Sequence, residues 1–275
     1  MEWKNLYRGL IMGATDLIPG ISGGTIAVLL GIYDRLIRAI NGIFTKDWKR
    51  HFFFLAPLGI GMVTAIFLLA NVIEWLLANY PSPTKFFFLG LIIGVLPFLF
   101  RKAEAKRNFQ AKHYFLLIIG VIIVASLNIF NPQEGEVITN VTTSTYIFLF
   151  VSGFIASSAM IAPGISGSFM LLLLGAYSTI ISAISNLKLD IIIVTGIGIA
   201  IGFLMMSRIV EYFLNRYYTA TYAAIIGLVI GSVFVIFPGF PTDAFLIVLS
   251  IAAFAIGITA AYLLGKIEYR DVSKG

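Results

Sequence analysis

GATDLIPGISGGTIAVLLGIYDRLIRAI, residues 13–40, returns at residues 157–184 as SSAMIAPGISGSFMLLLLGAYSTIISAI. Pro19-Gly20-Ile21-Ser22-Gly23 recurs as Pro163-Gly164-Ile165-Ser166-Gly167. Without a gap, Leu30-Gly31 recurs as Leu174-Gly175, Tyr33 as Tyr177 and Ala39-Ile40 as Ala183-Ile184. Each pair is 144 positions apart. One Pro-Gly-x-Ser-Gly carries little weight, because Pro, Gly and Ser are common turn residues. Two copies in register, each set in apolar sequence, point to an internal duplication.

Each copy joins a helix breaker to a helix starter. Proline removes a backbone donor and glycine admits unusual φ, so a preceding helix is expected to stop at Pro19-Gly20 and at Pro163-Gly164. Ser22 and Ser166 are then suited to cap the helix that follows. The plainer alternative is a kinked membrane helix, where Pro and Gly are tolerated. Duplication favours a broken or re-entrant helical hairpin whose N–H groups face a ligand near mid-membrane.

Of the 275 residues, 59% are hydrophobic and 12% charged, with a mean hydropathy of +0.98. Long stretches such as 52–73, 86–100, 114–127, 189–206, 222–237 and 244–264 are nearly free of charge, which predicts an all-α polytopic membrane protein. No cleaved leader is expected, since the chain runs at once into the first motif. The lack of cysteine excludes disulfides and thiolate metal sites. His51 and His113 stand singly in basic loops, where a solvated or headgroup-facing ring is expected and no metal site. The net charge of +6 comes without any basic–aromatic motif of a nucleic-acid fold, so no nucleic-acid partner is predicted. Short basic loops instead fit the positive-inside rule and attraction to anionic headgroups of the lipid bilayer.

Lys4 and Arg8 precede the first motif and Arg35, Arg38, Lys46, Lys49 and Arg50 follow it, so a hairpin over 5–44 is expected to begin and end in the cytoplasm. Crossings at about 52–78, 86–100 and 112–130 complete a first unit, 1–130, around the basic loop RKAEAKR at 101–107. Residues 131–143 read as an extracytoplasmic linker, with two glutamates and no lysine or arginine. The second unit, 144–275, has its hairpin over 144–184 and crossings at about 189–214, 220–237 and 243–264, ending at Lys266, Arg270 and Lys274. Only Lys85 and Lys188 of the 19 basic residues then lie outside.

A hairpin adds an even number of passes and three crossings an odd number. The second unit must therefore enter upside down, giving two inverted-topology repeats, each a hairpin plus three transmembrane helices, in the cytoplasmic membrane with both termini cytoplasmic. A fainter echo extends the duplication: Ile73-Glu74-Trp75 resembles Val210-Glu211-Tyr212, Tyr80 and Thr84 match Tyr217 and Thr221, and Gly90 to Gly94 matches Gly227 to Gly231, all 137 positions apart.

Asp16 precedes Pro19 by three residues in a stretch expected to be buried, and its counterpart is Met160. It reads either as a cap bracing the loop or as a proton-binding group coupled to transport. Glu74 and Glu211 occupy matching positions and are further candidates for coupling or proton binding; Arg208 can share a helix face with Glu211 as an ion pair, or contact phosphate through its guanidinium. Ser22, Thr25, Ser166 and Ser168 follow the breaks. With the glycines Gly20, Gly23, Gly24, Gly164 and Gly167 they are candidates to bind an anion at the two helix starts, against a plain role in close helix packing. Phe52-Phe53-Phe54 and Phe86-Phe87-Phe88 read as lipid-facing or interfacial clusters. No catalytic residue, metal or cofactor is predicted.

DLIPGISGGTIAVLLGIYDRLI and APGISGSFMLLLLGAYSTII together resemble the bacterial and archaeal polyprenyl-phosphate transporter family, formerly a domain of unknown function. The resemblance spans essentially the whole chain. It implies a flippase that returns undecaprenyl phosphate from the outer to the cytoplasmic leaflet for reuse in cell-wall (peptidoglycan) synthesis, with proton or cation coupling as a natural way to neutralise charge. Two rivals stand beside it. Membrane undecaprenyl-pyrophosphate phosphatases carry an arginine directly after the motif serine, where this chain has Gly23 and Gly167, and their glutamate-rich motif is not apparent. A small-anion channel or exchanger would use the same helix-end amides.

Overall fold

The computed structural model describes residues 2–18, 20–130 and 135–272. Pro19, residues 131–134 of the expected linker, and Lys274 lie outside the described residues. The fold is all-α. Its first half comprises α1 (Lys4–Asp16), α2 (Gly23–Leu29), α3 (Tyr33–Gly42), α4 (Trp48–Asn79), α5 (Pro81–Lys102), the short α6 (Ala105–Asn108) and α7 (Ala111–Leu127). The second comprises α8 (Thr143–Ile161), α9 (Gly167–Leu173), α10 (Tyr177–Ser185), α11 (Leu189–Arg216), α12 (Tyr218–Ile236) and α13 (Ala244–Val272). Among the described residues, seven helices are long and apolar enough to cross a membrane: α4, α5, α7, α8, α11, α12 and α13. Helix α5 starts earlier than hydropathy suggests because Pro81 sits in its first turn, where a missing N–H is harmless.

At 13 residues α1 is only about 20 Å long, short of the roughly 30 Å hydrocarbon core. Helices α9 and α10 are bent by 112° across their break. Gly20 and Gly164 both have φ of +91°, the left-handed region that lets the chain turn sharply where a side chain would strain it.

Four helix pairs dominate the packing: α1 with α4, α8 with α11, α5 with α13, and α7 with α12. In each pair a glycine from either helix meets the other's backbone. A Cβ on Gly9 would stand 3.0 Å from the Cα of Gly61, one on Gly153 2.7 Å from the Thr195 carbonyl oxygen, one on Gly257 3.0 Å from the Leu91 nitrogen and one on Gly120 2.9 Å from the Ala224 carbonyl oxygen. Close backbone approach through small residues is how helices gain contact in lipid, where the solvent supplies no hydrophobic drive.

The contacts also fix direction. Gly198 meets Phe150 and Gly202 meets Phe154, so α8 and α11 run parallel. Gly90 meets Phe254, Gly94 meets Ala261 and Gly265 meets Phe98, so α5 and α13 do too. Gly227 meets Leu117 and Gly231 meets Val124, which makes α7 parallel to α12. Helix α1 likewise follows α4, with Gly9 against Leu58 and Gly13 against Met62. Parallel α1 and α4 require that α2 and α3 return the chain to the side on which α1 began. With the turns at Tyr80 and Tyr217, α1, α4, α7 and α12 then point one way and α5, α8, α11 and α13 the other, consistent with two oppositely oriented halves. The halves are not separate bodies, since α13 packs on α5 and α7 on α12.

Several side chains differ from expectation. His113 is buried, its Nδ1 accepting the Gln110 N–H at 3.0 Å to cap the start of α7; a side chain that closes a helix end is not left to solvent. Phe54 and Phe88 are buried, with Arg35 stacked 4.6 Å over the Phe54 ring, because α4 and α5 each turn one aromatic inward. Arg8 is buried against Glu268, with Tyr7 and Asn5 also bonded to the pair, tying α1 to α13.

Gly198→Val, which sets a side chain against the Phe150 carbonyl, is expected to lower stability by about 1–3 kcal/mol, as overpacking does. Gly196→Ala, whose new Cβ would meet nothing within 4 Å, is expected to be neutral or mildly stabilising. Melting temperatures of the two variants in one detergent check this.

Candidate functional site

The two Pro-Gly loops meet. The Gly164 N–H donates to Thr25 Oγ1 at 2.8 Å, a buried bond from the second motif to the first. Beside it the Tyr33 hydroxyl donates to the Ile161 carbonyl at 2.9 Å, and Gly24 lies so close that an added Cβ would stand 3.3 Å from the Met160 carbonyl oxygen.

The first helix start is closed by its own chain. Ser22 is the N-cap of α2, its hydroxyl accepting the Gly24 N–H at 3.2 Å, while Thr25 and Ile26 donate to the Ser22 carbonyl. The Asp16 carboxylate lies against Gly23 at the start of α2. Its oxygens would lie 2.8 and 2.9 Å from a Cβ at position 23, so a side chain there would displace the carboxylate. Asp16 therefore occupies the place of an anion at this helix start.

The second start is built differently. Ser166 makes no side-chain cap bond to α9, contrary to expectation; its hydroxyl pairs with that of Ser168 at 2.9 Å. Met160 stands where the first half has Asp16, and among the described residues no carboxylate reaches Gly167. Every residue of α2 is buried, whereas none of α9 is.

A cavity of about 420 Å³ opens beside the loops between α4 and α11. Asp16, Gly23, Gly24 and Tyr33 line its inner end, Met160 and Ile161 lie across from them, and among the described residues Asp16 is the one charged residue in its wall. Ser166 and Ser168 do not line it. Nor does Arg208, which is exposed and one turn beyond the cavity-lining Leu204.

The expected Arg208–Glu211 pair does not form. Glu211 accepts from the Asn41 amide at 2.6 Å, and Ser207 donates to the same Asn41 at 2.7 Å, so α3 claims the carboxylate that α11 carries. Glu74, its counterpart, is exposed. Neither glutamate lines the cavity.

Sequence reasoning missed a second polar cluster. Asp34 pairs with Lys102 at 2.9 Å and accepts the Tyr222 hydroxyl at 2.6 Å, with the Lys102 ammonium 5.2 Å from the Tyr222 ring centroid. It fastens α3 to α5 and α12. The sequence signal was weak, an acidic residue directly beside Tyr33 at the head of a largely basic flank. Tyr33 had a better signal, its repetition as Tyr177.

The family described as undecaprenyl phosphate translocase-like matches residues 12–253. This chain belongs to that family. It is 43% identical over 275 residues to a polyprenyl-phosphate transporter of Staphylococcus aureus, covering 97% of each chain. It is 40% identical over 252 residues to a polyprenyl-phosphate transporter of Vibrio cholerae, covering 86% of this chain and 79% of the relative. No solved structure matches.

Thr25→Val removes the acceptor of a buried amide, and an unsatisfied buried donor costs about 1–3 kcal/mol. Thr25→Ser keeps the acceptor and is expected to retain most of that stability. Thermal unfolding of both variants in detergent distinguishes them.

Proposed function

We propose that this protein is a flippase for a polyprenyl phosphate, undecaprenyl phosphate in bacteria, carrying it from the outer to the inner leaflet of the cytoplasmic membrane for reuse in cell-wall synthesis. The family and the two relatives' names support the substrate class. The observation that carries the mechanism is the junction of the two loops at Thr25 and Gly164 beside a cavity whose charged wall residue is Asp16. Helix directions and the duplicated motifs support an inverted-repeat carrier with units 1–130 and 144–275. The gathering of basic residues on one side supports cytoplasmic termini.

The phosphate is held at the helix starts, by Gly20, Ser22, Gly23, Gly24 and Thr25 from one hairpin and Gly164, Ser166, Gly167 and Ser168 from the other. Oriented N–H groups at a helix start favour an anion. The Asp16 carboxylate stands against Gly23 at one of those starts, so lipid phosphate and carboxylate compete for one position. A proton on Asp16 removes its charge and with it the repulsion of the phosphate, which links phosphate loading to proton uptake. Arg208, on the surface beyond the cavity, serves as an approach contact for the headgroup. Glu74 and Glu211 are further candidates for coupling, though the Asn41 bond gives Glu211 a structural duty as well.

Asp16→Asn is expected to slow transport of a fluorescent polyprenyl phosphate in reconstituted vesicles and to flatten its dependence on pH. Wild-type rate and wild-type pH profile in that variant, with the protein folded, would reject Asp16 as the coupling group.

A further inference from the structure

Two apolar grooves occupy equivalent places in the two halves. One, of about 380 Å³, lies by the α4–α5 turn and is walled by Ile73, Leu76, Tyr80 and Thr84. The other, of about 400 Å³, lies by the α11–α12 turn and is walled by Val210, Phe213, Tyr217 and Thr221, the residues 137 positions on. Because α4 and α11 run oppositely, the grooves lie toward opposite faces of the membrane. Among the described residues neither has a charged residue in its wall.

They end differently. In the first groove Pro83 and Phe87 stand in the wall, and the Phe87 ring packs edge-on against Phe88 at 5.0 Å. At the equivalent positions the second has Ala220 and Ala224. The space these alanines leave lets the groove run inward to Ala162 and Pro163, at the head of the second loop, and to the ring of Tyr33. Tyr33 also lines the cavity that holds Asp16. One tyrosine thus stands between a cavity with a carboxylate and a groove with no charge.

We propose that the groove between α11 and α12 holds the isoprenoid chain of the carried lipid, the part next to its phosphate. The proposal rests on the transport reading above. A groove between membrane-crossing helices that is open to lipid selects a hydrocarbon chain by its chemistry. What distinguishes the carried chain from bulk acyl chains is where the groove leads, since only its inner end reaches the paired loops. The two alanines then determine chain fit, and the pseudo-equivalent groove, walled by Pro83 and Phe87, does not reach the loops.

The test uses the full chain in vesicles of phosphatidylcholine and phosphatidylglycerol. A polyprenyl phosphate with a diazirine on the isoprene units nearest the phosphate is crosslinked, and labelled peptides are mapped. Transport of a long-chain polyprenyl phosphate is compared with that of dimethylallyl phosphate, whose single isoprene unit leaves most of the groove empty. The variants are Ala224→Phe, which copies Phe87 of the first groove, and Ala220→Phe, which adds bulk beside it. Labels on α11 and α12 groove residues are expected. The ratio of long-chain to short-chain transport is expected to fall by about tenfold, the scale on which apolar pockets discriminate.

Labelling of the α4–α5 groove instead, or equal labelling of α11–α12 by a diazirine phosphatidylcholine, overturns the assignment. So does an unchanged ratio in folded variants, or an equal loss for both chain lengths. If Ala224→Phe does not fold, Ala220→Phe and the crosslink map decide the matter. Wild-type protein that moves no polyprenyl phosphate overturns the transport reading and this one together. Wild-type transport with no effect of either variant overturns the groove alone.

Discussion

A backbone amide inside a bilayer must find its acceptor within the protein, because the lipid offers none. At Gly164 that acceptor is a threonine from the other half of the chain. The same constraint explains why an irregular loop can exist at this depth. The chain breaks around Gly20 and Gly164, and each break is covered by residues of the opposite motif or by its own cap. Tyr33 does the same for the Ile161 carbonyl exposed at the end of α8. The two loops therefore stabilise each other, and neither hairpin is complete alone.

Duplication explains the frame and not the detail. Gly20 and Gly164 share one φ value, and the glycine contacts of α1 on α4 reappear in α8 on α11. At the site the halves diverge. One helix start is closed by Ser22 and Asp16 and lies within the core; the other has a serine pair and a half-exposed helix. An anion arriving from outside would meet a negative charge at the first start and none at the second. This difference gives the site a direction that a symmetric pair would lack.

Much of the frame was legible in the sequence because hydropathy and repetition report it directly: the all-helical membrane class, the long apolar helices, the breaks after Asp16 and Ile161. Ser22 as a cap was legible too, since a serine before small residues has few other uses at a helix start. What stayed hidden depends on partners remote in sequence. Nothing in Glu211 announces Asn41, nothing in Arg8 announces Glu268, and Phe88 differs from Phe86 only by which way α5 faces. His113 was misplaced because a basic flank suggests solvent, while its actual partner is the backbone three residues earlier. The glycines Gly9, Gly61, Gly153 and Gly198 carried a readable signal at matched spacing, and it concerns packing.

The cross-pairing of the halves constrains how the site can change its exposure. Helices α5 with α13 and α7 with α12 join residues from the two ends of the chain through backbone-to-backbone contacts. Rocking one half rigidly against the other would pull those contacts apart, and close-packed helices tolerate little separation before they lose most of their attraction. The pairs α1–α4 and α8–α11 each lie within one half and flank the cavity. A shift of these pairs against the cross-paired helices leaves the glycine contacts within each pair intact and strains chiefly Gly164, where a Cβ would run into the Leu228 carbonyl oxygen of α12. Such a shift would act first on what bridges the two groups, namely Asp34 with Lys102 and Tyr222 and Arg8 with Glu268, and on α9, which has no buried residue. Movement of this kind would also reshape both grooves, since each lies between a helix of the shifting pairs and one of the cross-paired helices.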